Sequence, residues 1–337
     1  MKAFVQVPDY LPTFHCKCGA CRYPCCHGWP IALTEDEYFH LIGIECSAAL
    51  RRRLDTTIHI RNHPFPENYA ELSPNWLGLC PLQREDGLCS LQCEKGENAL
   101  PTVCRLYPRS FKALHGPECV CMGSCEAVLE QLYSASNQLQ WTSMTMDMPD
   151  LLPEAPQMTS TRDAVIALLQ DRSLPLKERI RRLPGLSGSM NPSHVPAIEV
   201  LLPLFESLSR DSTALQPLWQ QAESLLQTNT AAVFAQYRSV YEERFPLSDR
   251  WLEQALVNHV MLDDFPQDPS LQMSTALALG ILYALLRFYG ILFGDTFEHL
   301  VDVHAAVFRR LEHTNFDSVI EAEAALLSAI KPRLCEI

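Results

Sequence analysis

The stretch FHCKCGACRYPCCHGW, residues 14–29, places five cysteines within 16 residues. Working outward from it, 13 of the 14 cysteines lie between Cys16 and Cys125, and only Cys335 falls in the remainder. Such a shift in composition predicts two regions that are stabilised by different interactions. We therefore expect a cysteine-rich domain over residues 1–148 and an apolar domain over residues 149–337.

The cysteines are expected to bind metal rather than to form disulfides. Met1 to Phe14 contains one lysine, Asp9 and two prolines, without the apolar core of a secretory signal. This predicts a cytoplasmic protein, in which clustered cysteines more often bind metal or act in catalysis. The adjacent pair Cys25 and Cys26 also suits a metal site better than a disulfide.

The second region reads as helical. Pro149, Pro153 and Pro156 mark a linker, and residues 183–196 are rich in glycine and proline. Apolar periodicity predicts helices over 160–170, 195–208, 212–243, 249–262, 271–293, 295–313 and 316–330. In the first region, Thr34 precedes Glu35 and an apolar run, which predicts a capped helix there. The expected fold class is mainly α: a cysteine-rich, irregular metal-binding N-terminal domain followed by an all-α helical bundle.

The charge distribution excludes some partners. The formal net charge is -13, and residues 126–337 carry 27 acidic against 15 basic side chains. This surface would repel a phosphate backbone, so we expect no nucleic-acid partner. Residues 275–293 hold one charge, Arg287, and approach the length of a membrane span. Since the neighbouring segments are acidic, we expect a buried bundle helix whose arginine reaches a carboxylate or the surface, and no membrane span. No feature indicates an oligomeric state.

Three cysteine blocks together carry a family resemblance. The series FxC-x4-C-x3-CC-x-GW, then CPL…GLCSLQ-x-E-x-G…LP-x-x-CR-x-YPR, then C-EA, resembles the flagellin lysine-N-methylase family. That family lies within a wider cysteine-cluster group of zinc- or iron-chelating proteins. The resemblance covers about the first 130 residues. The matching residues are Phe14, Cys16, Cys21, Cys25, Cys26, Gly28, Trp29, Cys80, Pro81, Leu82, Cys89, Gln92, Glu94, Gly96, Cys104, Arg105, Tyr107, Pro108, Arg109, Cys125, Glu126 and Ala127.

The resemblance implies a set of metal ligands. Eight cysteines fall on the pattern: Cys16, Cys21, Cys25, Cys26, Cys80, Cys89, Cys104 and Cys125. They could hold one 4Fe-4S cluster with spare thiols, or two four-ligand sites, with zinc as the alternative metal. Six cysteines lie off the pattern and are taken as plain thiols, although Cys18 and Cys121 sit close to pattern positions; these six are Cys18, Cys46, Cys93, Cys119, Cys121 and Cys335. His15 and His27 adjoin ligand positions and are weaker candidates.

The resemblance also implies methyl transfer from S-adenosylmethionine to lysine side chains of flagellin, with an iron–sulfur cluster involved. The chain contains no G-x-G loop of a Rossmann-like methyltransferase and no C-x3-C-x2-C triplet. Arg105 and Arg109 are candidates for binding the cofactor carboxylate, or they pair with local acids or thiolates. Tyr107 is a candidate for lining a lysine channel, with packing as the alternative, and Trp29 is expected to cover the metal site.

Two other function classes compete with the enzyme. One is a non-catalytic zinc- or iron-binding module for metal storage, sensing or delivery. The other is an interaction protein in which the metal is structural and the C-terminal helices bind the partner. Binding of S-adenosylmethionine separates the enzyme from both.

Overall fold

The computed structural model describes the chain except Met1, Leu114 and residues 150–159, 187–194, 314–326 and 328–329. It divides into two compact units. The cysteine unit is His15–Pro108, and the helical unit combines Met1–Phe14 with Arg109–Ile337. The bounds of these two units differ from those of the predicted domains, which meet between residues 148 and 149. The cysteine unit is inserted in chain order between two parts of the helical unit.

Strand pairing explains why the chain divides in this way. The helical unit contains a four-stranded sheet in the order β5-β6-β1-β7. Its strands are β1 (Lys2–Pro8), β5 (Arg109–Lys112), β6 (Glu118–Cys121) and β7 (Trp141–Asp147). β1 pairs antiparallel with β7, from Lys2 opposite Asp147 to Pro8 opposite Trp141. Residues before the first cysteine block and after Pro108 therefore share one sheet, and their buried side chains join the same core as the helices.

The cysteine unit is not irregular, which corrects the prediction. It contains an antiparallel sheet in the order β2-β4-β3. Its strands are β2 (Ile31–Leu33), β3 (Ile58–Phe65) and β4 (Asn68–Leu72). Its helices are α1 (Glu35–Gly43), α2 (Ala48–Thr57), α3 (Ser90–Lys95) and α4 (Thr102–Leu106). Its core holds only ten buried residues, far fewer than the core of the helical unit.

The predicted cap at Thr34 is confirmed. Thr34 Oγ1 accepts the Glu37 backbone N–H at 3.2 Å, and Glu37 Oε2 accepts the Thr34 backbone N–H at 2.9 Å. This capping box satisfies two donors at the start of α1. The second Glu37 oxygen accepts the backbone N–H of Thr102 at 2.6 Å. One carboxylate therefore starts α1 and fixes the first residue of α4, the helix that carries Cys104.

The helical unit confirms most of the predicted helices. The described chain is 55% helical overall. The helices of this unit are α5 (Glu126–Ser134), α6 (Arg162–Leu169), α7 (Leu176–Arg181), α8 (Ala197–Arg210), α9 (Gln216–Leu225), α10 (Thr230–Arg244), α11 (Ser248–Asp263), α12 (Pro269–Phe293) and α13 (Phe297–Glu312). The helix predicted over 212–243 is two helices, because the chain turns at Asn229, whose φ is 50°. α7 was not predicted. The 149–156 linker and the helix over 316–330 lie mostly outside the described residues.

The apolar helix α12 lies in the core of the helical unit. By length and composition it is the one helix in the described ranges that could cross a membrane, with a mean hydropathy of 1.9, yet 83% of its apolar window is buried. Arg287 Nη2 lies 3.1 Å from Glu242 Oε1, and Nη1 lies 3.7 Å from Asp249 Oδ1. The prediction of a buried helix whose arginine reaches carboxylates is confirmed. A membrane is not needed to cover this surface.

Acid is expected to destabilise the helical unit through His304, a fully buried residue of α13. Its Nδ1 accepts a hydrogen bond from the Tyr133 hydroxyl at 2.7 Å, and its Nε2–H donates to the Leu286 carbonyl at 3.1 Å. Burial lowers the pKa of His304 to about 3, well below the value of about 6.5 in an unfolded chain. As the pH falls, the His304 imidazole therefore takes up a proton in the unfolded chain at a higher pH than in the folded protein. The stabilisation is complete above pH 6.5 and is lost as the pH falls towards 3.

Between pH 7 and pH 5 this group alone is expected to cost about 2 kcal/mol of unfolding free energy. Urea denaturation at both pH values, for the wild-type protein and His304→Asn, measures it. The variant should be less stable at pH 7 but should lose less stability on acidification. Equal losses in the two proteins would contradict this account.

Candidate metal centre

Backbone pairing brings the first and second cysteine blocks together in the cysteine unit. The Gly28 N–H donates to the Gly78 carbonyl at 2.8 Å, and the Cys80 N–H donates to the Cys26 carbonyl at 2.7 Å. These two hydrogen bonds place Cys26 beside Cys80. Residues 26–28 and 78–80 therefore form a small paired frame, although about 50 residues separate them in sequence.

Two glycines allow a second close approach between the same blocks. A Cβ atom on Gly87 would lie 2.7 Å from the Gly19 carbonyl oxygen, and one on Gly19 would lie 2.4 Å from the Asp86 carbonyl oxygen. Gly87 also has a φ of +78°, which side chains disfavour. The turn over residues 84–88 can pack against the first block only because both positions are glycine.

Five thiols of the cysteine unit act on one another electrostatically, and we call them the thiol cluster: Cys25, Cys26, Cys80, Cys89 and Cys104. A hydrogen bond with Cys25, then burial, then the charges of Cys25, Cys80 and Cys89 raise the pKa of the Cys26 thiol. Burial, followed by the charges of Cys80, Cys25, Cys89 and Glu37, raises the pKa of the Cys104 thiol. All three blocks therefore contribute to one group of thiols.

The backbone is arranged to stabilise anionic sulfur at two of these positions. Burial raises the pKa of the Cys80 thiol to about 11, while hydrogen bonds from the backbone N–H groups of Leu82 and Gln83 oppose the shift. Cys89 accepts hydrogen bonds in the same way from the residues two and three positions later. N–H donors at these positions stabilise a thiolate and orient it for a metal. The tight turns after each cysteine supply them.

The remaining cysteines of the unit are Cys16, Cys18, Cys21, Cys46 and Cys93. Burial raises the pKa of the Cys16 thiol, the Cys18 backbone N–H donates to its sulfur at 3.3 Å, and Cys18 and Cys25 raise the pKa further. The off-pattern Cys93 lies near Cys89. Cys46 packs against the apolar core, as Cys80 and Cys89 also do. Cys21 is half-buried, and its role as a ligand, like that of Cys16, stays a prediction.

The last pattern cysteine belongs to the helical unit. Cys125 precedes α5, and its charge acts on Cys121, which lies in β6 with Cys119. Cys119 and Cys121 are fully buried. Burial raises the pKa of Cys119 to about 12, and the cationic Arg109 opposes the shift. Whether Cys125 shares a metal with the thiol cluster stays a prediction.

The donor chemistry of the thiol cluster fits a thiophilic metal. Five soft donors exceed the four that zinc or an iron–sulfur cluster usually takes from protein. Among the described residues, no three cysteine, histidine or acidic side chains converge at coordinating positions. Thiols act on one another electrostatically over distances much longer than a metal–sulfur bond of about 2.3 Å. The five thiols can therefore interact although no three described side chains lie at coordinating positions. Ligation requires the thiols to lose their protons and to turn inward.

Curated proteins match part of this chain. A lysine-N-methylase of Salmonella choleraesuis is 31% identical over 107 residues, which is 32% of this chain and 26% of that protein. The Salmonella typhimurium lysine-N-methylase is 30% identical over 107 residues, again 26% of its length. The flagellar biosynthetic protein FliU of Salmonella muenchen is 29% identical over 107 residues, 62% of its length. Part of the chain is homologous to lysine-N-methylase. No family model and no solved structure matches it.

The homologous part spans about a quarter of the length of the two lysine-N-methylases. The resemblance seen in the cysteine blocks is confirmed, while activity and substrate need their own argument. All 14 cysteines are described, and the structure joins none of them in a disulfide.

The predicted cofactor and substrate residues of the lysine-N-methylase pattern are spread over both units. Arg105 lies in α4 of the cysteine unit, whereas Arg109 begins β5 of the helical unit and lies 5.8 Å from the centre of the Phe14 ring. The Tyr107 ring lies 6.2 Å from the Trp29 ring, and both are partly buried. These contacts fit the packing alternative for Tyr107. The roles of Arg105, Tyr107 and Arg109 in binding, and of Trp29 as a cover, stay predictions.

Proposed function

We propose that this protein is an S-adenosylmethionine-dependent protein-lysine N-methyltransferase that acts on flagellin and carries a metal centre held by its thiol cluster. The observation that carries the proposal is that Cys25, Cys26, Cys80, Cys89 and Cys104, from three cysteine blocks of a chain partly homologous to lysine-N-methylase, act electrostatically on one another in the cysteine unit. We propose iron–sulfur, as 4Fe-4S, with zinc as the alternative metal. We further propose a cytoplasmic location, where thiols remain reduced.

The reaction itself needs few groups. A neutral lysine amine forms a bond to the methyl carbon, the bond from that carbon to sulfur breaks, and S-adenosylhomocysteine leaves with the electron pair. The lysine ammonium must first lose a proton, and the two reactants must be held in line. A bound iron–sulfur cluster would supply redox chemistry, or would hold the fold of the cysteine unit.

The residues of this chain contribute binding and positioning. The backbone N–H groups after Cys80 and Cys89 orient their sulfurs, and the Glu37 carboxylate fixes the start of the helix that carries Cys104. The described strands form no doubly wound parallel sheet, since only β1 and β6 pair in parallel. We therefore do not propose a nucleotide site of the Rossmann type.

Purification without oxygen, followed by measurement of iron, acid-labile sulfide and zinc, tests the metal centre. The protein should hold iron and sulfide in equal amounts and should absorb visible light. Incubation with flagellin and methyl-labelled S-adenosylmethionine should then label lysine. Stoichiometric zinc without cofactor binding or labelling would overturn the enzyme and support the metal-binding module.

A further inference from the structure

The helical unit contains a cavity of about 280 Å³ away from any cysteine block in sequence. Its wall comes from the start of α7, from α10, from the turn into α11, from α12 and from Ile337. Tyr283 and Phe245 supply apolar surface and are almost fully buried. The volume is close to the lower end of the range that small-molecule sites show.

The charged groups of this cavity have both signs. Arg287, which is 5% exposed, contacts Glu242 at 3.1 Å and Asp249 at 3.7 Å. Arg238 Nε donates to Glu242 Oε1 at 2.8 Å. The Glu242 carboxylate therefore pairs with two guanidinium groups, those of Arg238 and Arg287. The buried Arg287 of α12 holds this carboxylate in place.

Two charged groups at the cavity remain available to a ligand. Lys177 is exposed and forms no ion pair with any residue that the structure describes. Asp249 is about half exposed, and its contact with Arg287 is longer than a hydrogen bond. The cavity therefore offers one cation, one carboxylate and an apolar wall. A ligand that carries a carboxylate, an ammonium group and an apolar chain complements all three.

We propose that this cavity binds the zwitterionic headgroup of an α-amino acid, with the ligand carboxylate on Lys177 and its ammonium group on Asp249. An apolar side chain of the ligand would lie against Tyr283 and Phe245. The source to which we assign this headgroup is the methionyl end of S-adenosylmethionine, and that assignment rests on the proposed function. Free methionine carries the same headgroup and lacks the positive charge of the sulfonium.

Calorimetric titration of the full chain tests the site with four probes: S-adenosylmethionine, S-adenosylhomocysteine, L-methionine and methylthioadenosine, which lacks the amino-acid headgroup. The first three should bind and the fourth should not. Lys177→Gln and Asp249→Asn should each weaken binding roughly tenfold or more, because each removes a charged hydrogen-bond partner. Lys2→Gln and Glu223→Gln remove exposed charges of the helical unit elsewhere and should bind as the wild type does.

The outcomes of these titrations test the cavity site and the methyltransferase proposal independently. Unchanged binding of S-adenosylmethionine to both cavity variants overturns the site and leaves the methyltransferase proposal intact. Binding of methionine alone, lost in both variants, supports the site and overturns the methyltransferase. Failure of every headgroup probe to bind the wild type overturns the site. Circular dichroism of each variant confirms that the exposed substitutions leave the fold unchanged.

Discussion

Cys104→Ser is expected to remove the metal from the cysteine unit and to destabilise that unit. The Cys104 thiol lies among Cys80, Cys25 and Cys89, and serine replaces a soft thiolate donor with a hard hydroxyl. Loss of an outer partner already weakens a metal site by about 10–100-fold, so loss of a ligand should cost at least ~100-fold. Because the apolar core of this unit has only ten buried residues, metal affinity is also folding free energy.

Cys46→Ser is the matched control, since Cys46 lies in the same unit but is not one of the five thiols of the cluster. Metal content per chain after purification without oxygen, and chelator competition, measure the effect. Protease resistance of the cysteine unit reports its stability. If Cys104→Ser retains as much metal as Cys46→Ser and the wild type, Cys104 is not a ligand.

Glu253→Gln is expected to lower the unfolding free energy of the helical unit by about 3–5 kcal/mol. Glu253 is 1% exposed, and its carboxylate accepts hydrogen bonds from two arginines. Arg172 Nη2 lies 2.8 Å from Oε1, and Arg179 Nη1 lies 2.7 Å from Oε2. Arg179 is itself 5% exposed, so the amide variant leaves a buried cation without its counter-charge.

Denaturation followed by circular dichroism measures this loss. Glu206→Gln is the matched control, because Glu206 pairs with Arg210 on the surface at 2.8 Å, and exposed pairs contribute about 0–1 kcal/mol. The double replacement Glu253→Met with Arg179→Met should be less destabilised than Glu253→Gln, since it leaves only the partly exposed Arg172 unpaired. Similar losses for Glu253→Gln and Glu206→Gln would show that the buried network contributes no more than a surface pair.

Local signals predicted the helices well. The capping box at Thr34 and Glu37 lies within four residues, and the apolar periodicity of α11, α12 and α13 is likewise local. Strands were missed because their partners are distant: Lys2 pairs with Asp147, and no short pattern marks that choice. β2 has only three residues, and β3 contains several polar residues and Pro64, so neither shows the alternation that marks a strand in the sequence.

The metal ligands stay a prediction. Spacing and resemblance selected eight cysteines, and five of them, Cys25, Cys26, Cys80, Cys89 and Cys104, act electrostatically on one another in the structure. The cavity around Lys177 and Asp249 had no signal at all, since its residues come from five separate segments.

The sequence alone determined that this protein has a cysteine-rich region and a helical region, because composition and helical periodicity are properties of nearby residues. Only the tertiary structure decided which residues belong to which unit. Pairing of β1 with β7 joins the N-terminus to the helical unit, and pairing of residues 26–28 with 78–80 assembles the thiol cluster. Both depend on hydrogen bonds between segments far apart in the chain, and their partners are selected by the free energy of the whole fold rather than by local sequence.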